Sequence, residues 1–178
     1  MKKIPTIFVR DMAARPALVT PVWVEGCEWV RDGEGRATRK WDGTSVLIRD
    51  GKLYKRRELR PRDICPEGFE LVEVDPNTQN AVGWVPVGDG PDDKWHRAAP
   101  HPGHDGTFEL VGPKVNGNRD KFKDYALVSH GYIDFPDAPR TFNGLMEWLA
   151  VNEMEGLVWH HPDGRMAKIK RRDFGLAW

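Results

Sequence analysis

Two Asp-Gly pairs constrain the fold of this chain more than any other sequence feature. Asp50-Gly51 and Asp163-Gly164 each lie between two short segments with the residue pattern of strands. These segments are 44–48 and 53–57 around the first pair, and 157–160 and 166–170 around the second. An Asp-Gly pair in this position is a strong signal for a tight β-hairpin. The sequence therefore predicts two antiparallel hairpins.

The remaining pattern favours an α+β domain with antiparallel sheets and few helices. The 18 glycines and 14 prolines are spread along 178 residues and divide the chain into short pieces. Further strands are predicted at 22–24, 28–30, 69–74, 107–111 and 125–129. Residues 145–152 have apolar side chains at helical spacing, with Thr141 or Asn143 as the N-cap. We expect a single domain over residues 1–178.

Residues 75–106 are rich in glycine, proline and aspartate. This composition predicts a long loop or irregular hairpin, which carries Trp84 and Trp95. Loops of this length in compact domains are often functional.

Composition excludes several classes of protein. The chain is 39% hydrophobic and 30% charged, which is ordinary for a globular protein. No apolar run approaches the ~20 residues of a membrane span, and we expect no signal peptide, because residues 1–5 lack its apolar stretch. Cys27 and Cys65 are too few and too far apart for a disulfide framework or a zinc cluster, so we expect reduced structural thiols.

The formal net charge is zero, but the charges are unevenly distributed. Residues 55–62 and 168–172 are basic, whereas residues 89–93 are acidic. Two basic segments in a neutral chain suggest a local site for an anion. The alternative is that both segments are ordinary solvated faces.

The first hairpin predicts neighbours for two polar side chains. If Asp50-Gly51 is a two-residue turn, Arg49 faces Lys52 and Ser45 faces Arg56. Because opposite residues in an antiparallel pair share a face, Ser45 and Arg56 should project to the same side of the sheet.

The second hairpin predicts a cluster of opposite charges. A two-residue turn at Asp163-Gly164 places Trp159 opposite Lys168 and Leu157 opposite Lys170. Glu155 then shares the face of both lysines. A bulge in either strand would shift this register by one residue.

Lys40 stands in the pattern Lys40-Trp41-Asp42-Gly43. On its own the pattern also fits a surface turn, since Asp-Gly is a turn pair. A neutral lysine amine can attack the α-phosphate of a nucleoside triphosphate and form a covalent lysyl nucleotide. Nearby cations such as Lys168 and Lys170 would favour the neutral amine and stabilise the phosphate charge. A carboxylate such as Glu155 suits Mg²⁺.

The ordered motifs resemble those of the covalent nucleotidyltransferases, the superfamily of RNA ligases, DNA ligases and mRNA capping enzymes. The matching segments begin at Lys40 (motif I), at Arg56 (motif Ia), at Phe108 (motif III), at Glu155 (motif IV) and at Ala167 (motif V). They span most of the chain. The resemblance implies a nucleotidyltransferase, or adenylation, domain.

The resemblance also assigns individual residues. It implies that Lys40 is the nucleophile, that Glu109 contacts the ribose and that Glu155 serves the metal. The nucleotide-binding set that it implies is Arg39, Lys40, Ser45, Arg56, Glu109, Lys168 and Lys170. The aromatic residue that stacks on the base is left open between Tyr132 and Phe135, and core packing is an equal alternative for each.

Within the superfamily the chain is most similar to RNA ligases. Gly43-Thr44-Ser45 follows the motif I lysine, where DNA ligases and capping enzymes commonly have arginine after the glycine. Segments 83–87, 156–160 and 175–178 resemble ligases found in phages and, as RNA ligase 1, in vertebrates. The resemblance implies an enzyme that uses ATP with Mg²⁺ or Mn²⁺, adenylates itself, and joins an RNA 5′-phosphate to a 3′-hydroxyl. We expect a monomer in the cytoplasm of a bacterium or of a phage host.

The sequence ends eight residues after Lys170, which leaves no room there for an OB-fold domain. We therefore expect RNA to be held by the basic segments and by the loop with Lys94, Trp95 and His96. Two alternatives stay open. One is a DNA-nick ligase or another adenylyltransferase with the same first step, and the other is a catalytically idle nucleotide- or RNA-binding module.

Overall fold

A computed structural model describes residues 2–178 of the chain, which divide into two compact units. Unit 1 comprises Asp42–His130 together with the residues up to Lys3, and unit 2 comprises Ile4–Trp41 and Gly131–Trp178. The expected single domain over 1–178 stays a prediction.

Residues 2–178 form eleven β-strands and three α-helices. The strands are β1 (Phe8–Arg10), β2 (Val19–Trp23), β3 (Arg36–Lys40), β4 (Thr44–Arg49), β5 (Lys52–Leu59), β6 (Glu70–Val74), β7 (Ala81–Pro86), β8 (Gly106–Val111), β9 (Ala126–Ser129), β10 (Gly156–His160) and β11 (Met166–Lys170). The helices are α1 (Glu28–Arg31), α2 (Lys94–Ala98) and α3 (Phe142–Val151). Short 3₁₀ turns lie at Pro91–Asp93, Asn116–Asn118 and Arg171–Phe174. The predicted α+β class with antiparallel sheets is confirmed.

Unit 1 is built on a six-stranded antiparallel sheet in the order β6-β7-β5-β4-β8-β9. Its core includes buried residues of the adjacent strands β4 and β8, among them Val46, Ile48, Phe108 and Leu110. Side chains alternate between the two faces of a strand, so Ser45 and Glu109 lie on the face opposite to these apolar residues.

The first predicted hairpin is confirmed in unit 1. Arg49 pairs with Lys52, and the pairing continues to Val46 opposite Lys55. Asp50 and Gly51 both have positive φ angles, 52° and 69°, as a type I′ turn requires. One further step of the same register brings Ser45 level with Arg56.

Unit 2 contains a three-stranded antiparallel sheet in the order β11-β10-β3 and the separate pair β1-β2. Its core packs Trp159, Leu157 and Ile169 of the larger sheet with Leu145 and Leu149 of α3. The helix begins after Thr141, whose side chain accepts a hydrogen bond from the amide of Gly144. Thr141 is therefore the N-cap, one of the two predicted candidates.

The second hairpin forms, but its predicted register is wrong by one residue. Val158, not Trp159, lies opposite Lys168, and Gly156 lies opposite Lys170. The cause is a wider turn, in which the amide of His161 donates to the carbonyl of Arg165 and the amide of Gly164 donates to the carbonyl of His161. Register depends on turn length, which the Asp-Gly pair alone does not determine.

Three further expectations need correction. Residues 28–30, predicted as a strand, belong to α1. Residues 75–106 form neither one long loop nor an irregular hairpin, because they contain α2 and β7, and β7 pairs with β5 and β6. Strand β3, which carries Lys40, was not predicted. Cys27 is buried and Cys65 exposed, and both are free thiols, so only Cys27 fits the expected structural thiol.

Candidate functional site

Lys40 is the last residue of β3 and sits beside the start of β10. In the three-stranded sheet Gly156 is paired with Lys40 on one side and with Lys170 on the other. Gly156 is buried, and its backbone lies so close to β11 that no side chain fits between the two strands at this position. Glu155 immediately precedes it and is only 5% exposed.

Glu155 joins the two lysines through its two carboxylate oxygens. Nζ of Lys40 donates to Oε2 at 2.6 Å, and Nζ of Lys170 donates to Oε1 at 2.5 Å. The predicted convergence of Glu155 with Lys170 is therefore present despite the shifted register. We call Lys40, Glu155, Lys168 and Lys170 the lysine cluster.

Lys168 is two residues before Lys170 on β11, so both side chains leave the same face of the strand. Burial, together with the positive charges of Lys170 and Lys40, lowers the pKa of Lys168 to about 8. Burial also lowers the pKa of Lys170, and Lys40 adds to the effect. The protonated lysines of the cluster are therefore destabilised by burial and by mutual repulsion. An anionic ligand would stabilise them.

Arg39 has different neighbours from Lys40, because adjacent strand residues point to opposite faces. Its guanidinium lies over the ring of Trp41, 4.3 Å from the ring centroid, and Nη2 donates to the carbonyl of Glu153. The cation–π contact positions Arg39 beside the motif I segment.

The other predicted nucleotide-binding residues lie in unit 1, on its central strands. Ser45 on β4 is directly opposite Glu109 on β8, so the two side chains share a face. Ser45 Oγ and Arg56 Nε are buried and have no hydrogen-bond partner in unit 1 or elsewhere in residues 2–178. Buried polar atoms of this kind normally have a partner, so this face has donors and acceptors left for a ligand.

His130 is a polar neighbour of Glu109 that the sequence analysis missed. Its Nε2 lies 2.9 Å from Oε2 of Glu109. Since an ionised carboxylate only accepts hydrogen bonds, Nε2 carries the proton and donates. The amide of His130 donates to the carbonyl of Thr107, which continues the pairing of β8 with β9. In the sequence, the position of His130 directly after the predicted strand 125–129 was the signal that could have indicated it.

Asp42 of motif I is bound by a loop of unit 1. Its carboxylate accepts hydrogen bonds from Arg119 at 3.1 Å and Asn116 at 3.3 Å, and its amide donates to Asp120. Asn116 also donates to the carbonyl of Gly43. Asp42-Gly43 is therefore more than a solvent-exposed turn pair.

The two candidate stacking aromatics have different environments. Phe135 packs edge-on against Trp148 of α3, with ring centroids 5.2 Å apart, and belongs to the core of unit 2. Tyr132 is 75% exposed. Core packing accounts for Phe135, whereas the exposed ring of Tyr132 has room to contact a ligand.

The residues present fit a metal ion that arrives with a nucleotide better than one held by protein ligands alone. Within residues 2–178 no group of three or more His, Cys, Asp and Glu residues is arranged to hold a metal. Glu155 is the carboxylate in contact with Lys40. Mg²⁺ commonly takes one or two protein carboxylates and obtains its other oxygens from phosphates and water, so a single glutamate is compatible.

No helix among the described residues is long and apolar enough to cross a membrane.

Comparison with known proteins gives a consistent result over the C-terminal part of the chain. The RNA ligase 1 family model matches residues 99–178. Over 81 residues the chain is 36% identical to RNA ligase 1 of Danio rerio, 35% to that of Pongo abelii and 33% to that of Rattus norvegicus. Each match covers 40% of this chain and 25% of the relative, so the matched part spans a quarter of the length of these relatives.

The matched range contains Glu109, Glu155, Lys168 and Lys170, whereas Lys40 and the rest of motif I precede it. Residues 99–178, which contain motifs III, IV and V, are similar to RNA ligase 1, and over this range the predicted resemblance to RNA ligases is confirmed.

Proposed function

We propose that this protein is an ATP-dependent RNA ligase of the covalent nucleotidyltransferase superfamily, which carries AMP on Lys40. The observation that supports it best is the contact of the Lys40 amine with Glu155 inside a cluster of lysines. Glu155, Lys168 and Lys170 come from the range that is similar to RNA ligase 1. The cluster therefore combines a nucleophile with cations suited to phosphates.

In the first step the neutral amine of Lys40 attacks the α-phosphorus of ATP. A bond forms between Nζ and phosphorus, the bond from phosphorus to the bridging oxygen breaks, and pyrophosphate leaves. Glu155 Oε2, already in hydrogen-bond contact with Nζ, accepts the proton that the nitrogen loses. The product is a lysyl-N-phosphoryl adenosine.

Lys168 and Lys170 stabilise the charge that builds on the phosphates. Bringing phosphate oxygens to buried ammonium groups compensates for their desolvation, so the interaction is stronger than it would be at an exposed site. Glu155 is also the residue that would hold Mg²⁺ or Mn²⁺ delivered with ATP. Such an ion would neutralise phosphate charge.

We propose that three residues of unit 1 also bind the nucleotide. Ser45 and Arg56 have buried polar atoms without partners, and Glu109 is held in place by His130. We assign Glu109 to the ribose, Arg56 to a phosphate and Ser45 to a supporting hydrogen bond, and we add Arg39 next to motif I.

The later steps follow from the chemistry of the first. AMP moves from Lys40 to an RNA 5′-phosphate, and a 3′-hydroxyl then displaces it to close the phosphodiester bond. RNA is proposed as the substrate because the relatives are named RNA ligase 1.

Incubation with ATP radiolabelled on the α-phosphate, followed by denaturing electrophoresis, tests the first step. Wild-type protein should retain the label, Lys40→Ala should not, and Lys123→Ala, which changes an exposed lysine, should label as wild type does. Equal labelling of Lys40→Ala would overturn the assignment of the nucleophile. Labelled protein should then seal 5′-phosphorylated RNA; sealing of nicked DNA alone would favour the DNA-ligase alternative.

A further inference from the structure

Unit 1 has a second feature that the proposed reaction does not use, an open cleft of about 740 Å³. It is formed by residues 51–54 at the first hairpin turn, by Pro86 and Val87 at the end of β7, and by residues 96–101 of α2 and the segment after it. We call it the α2 cleft. Its volume lies in the range of ordinary ligand sites.

The charged side chains that line the α2 cleft have one sign. Lys52 and Arg97 are exposed on its rim, His101 is nearby, and no aspartate or glutamate is among the lining residues. Neither Lys52 nor Arg97 forms an ion pair with any carboxylate in residues 2–178. Arg97 instead donates Nη1 to the carbonyls of Gly88 and Gly90, which orients it without neutralising it.

Two carboxylates on adjoining segments are held by hydrogen bonds within unit 1. Asp93 accepts from Lys55 at 2.5 Å and from the amide of Gly88. Asp105 accepts from the amides of Asp50 and Gly51 in the hairpin turn. Because its lining contains Lys52 and Arg97 and no carboxylate, the cleft is complementary to an anion.

His96 provides the second, independent observation. It lines the cleft, is only 8% exposed, and neither ring nitrogen has a hydrogen-bond partner in the described chain. Its Nδ1 is 3.8 Å from Asp93, beyond hydrogen-bonding distance. A neutral imidazole offers one donor and one acceptor, so a group that can both donate and accept would complement it.

We propose that the α2 cleft binds a segment of single-stranded RNA, with Lys52 and Arg97 on its phosphates and His96 on a ribose 2′-hydroxyl. The hydroxyl both donates and accepts, which distinguishes RNA from DNA at such a position. The apolar floor formed by Leu53, Pro86 and Val87 suits the sugar and base faces. The inference rests on the proposed function only for the choice of RNA as the polyanion.

The cleft also modifies the expectation for the loop with Lys94, Trp95 and His96. The ring of Trp95 is stacked on Tyr125 at 4.7 Å, and the Lys94 ammonium lies over the Trp95 ring. Lys94 and Trp95 thus contact each other, and Trp95 also contacts Tyr125, the residue before β9. Of Lys94, Trp95 and His96, only His96 is among the residues that line the cleft.

Fluorescence anisotropy with labelled oligouridine, on the full chain and without ATP, tests the phosphate contacts. Lys52→Gln with Arg97→Gln should weaken binding, and the slope of log affinity against log salt should fall by about 0.7 for each lost contact. Arg31→Gln, at an exposed arginine of unit 2, is the matched control and should change neither quantity. Unchanged affinity and slope in the double variant would overturn the cleft as an RNA site.

A comparison of oligouridine with oligodeoxyuridine tests His96. Wild type should prefer the RNA, and His96→Phe should reduce the preference about fivefold, the value of one hydrogen bond. Equal binding of the two oligomers by wild type would overturn the assignment of His96 to the 2′-hydroxyl. Thermal melting of each variant checks its folding. If His96→Phe does not fold, the double variant at the exposed residues Lys52 and Arg97 still tests the cleft.

The same variants separate this inference from the proposed function. All of them should still label Lys40 with AMP, because that step does not require RNA. Labelling without any effect of the cleft variants on RNA binding would overturn the cleft alone. Loss of labelling in wild type would overturn the ligase proposal, whatever the anisotropy shows.

Discussion

Nζ of Lys40 lies 2.6 Å from Oε2 of Glu155, and Nζ of Lys170 occupies the other oxygen of the same carboxylate. One buried negative charge is thus shared by two ammonium groups, with Lys168 close by. Because a carboxylate fixed from both sides cannot rotate freely, it holds the Lys40 amine in one direction. Glu155 should therefore matter for the reactivity of Lys40 before any later step.

The first prediction concerns Glu155→Gln. The amide keeps the size of the side chain but removes the charge that orients Lys40 and accepts its proton. Lys40 labelling by ATP should slow by about 100-fold, the lower range for general acid–base catalysis. Single-turnover labelling, measured at saturating ATP, reports the rate directly.

Glu147→Gln is the matched control for that substitution. Glu147 is exposed on α3 and the change removes the same charge from unit 2, so labelling should stay within experimental error of wild type. A Glu155→Gln rate equal to that of wild type would contradict the function assigned to Glu155.

The sequence predicts part of this arrangement for identifiable reasons. Asp50-Gly51 defines the first hairpin because a two-residue I′ turn fixes the register, and Arg49 does face Lys52. Asp163-Gly164 is an equally good turn pair, yet the wider turn at His161 and Arg165 moves Val158 opposite Lys168. The cluster survives because Glu155 lies just outside the strand, where its side chain reaches Lys170.

Other features depend on contacts between distant parts of the chain. β3 is short and polar, and it becomes a strand by pairing with β10, more than a hundred residues later. The approach of His130 to Glu109 depends on the pairing of β8 with β9. Local pattern predicts elements well, but such tertiary contacts override it.

The second prediction concerns the pH dependence of stability. The pKa of Lys168 is lowered from the ordinary 10.5 to about 8 in the folded protein. Below pH 8 Lys168 is protonated in both states, and the folded state bears the full cost of its buried charge. Between about pH 8 and 10.5 the unfolded chain binds more protons than the folded one, so this contribution shifts in favour of folding as pH rises.

Replacing Lys168 by methionine should remove that cost. Lys168→Met is expected to raise the free energy of unfolding by about 2 kcal/mol at pH 7, after allowance for partial solvent exposure. The advantage over wild type should shrink as pH rises from 8 to 10. Urea unfolding at several pH values measures it, and a difference that does not vary with pH would argue against the buried charge.

The third prediction assigns His130 as a positioning residue for Glu109. His130→Phe removes the Nε2 donor, so Glu109 should lose its orientation toward the ribose. The KM for ATP in the labelling reaction should rise about tenfold, while the maximal rate changes little. His130→Gln retains an amide donor and should recover part of the affinity. A lower rate with unchanged KM would point to another function for His130.

The fourth prediction concerns Gly156, which is paired with Lys40 on one side and with Lys170 on the other. A Cβ there would collide with the carbonyl oxygen of Ile169 and approach Cα of Lys170 within 2.8 Å. Both obstacles are backbone of β11, which cannot move without disturbing the sheet. Gly156→Ala should therefore lower the free energy of unfolding by about 2 kcal/mol and displace Glu155 from the lysines.

Gly90 provides the control for this substitution. A Cβ at Gly90 would meet no atom within 4 Å, and its φ of −64° is open to any residue, so Gly90→Ala should leave unfolding and labelling unchanged. Urea unfolding gives the stability of both variants. Labelling of Lys40 is then measured without urea, well below the unfolding temperature, so that it reports on the site and not on unfolding. If Gly156→Ala is as stable as Gly90→Ala and labels Lys40 normally, the close approach of β10 and β11 at Glu155 is not needed to hold the lysine cluster.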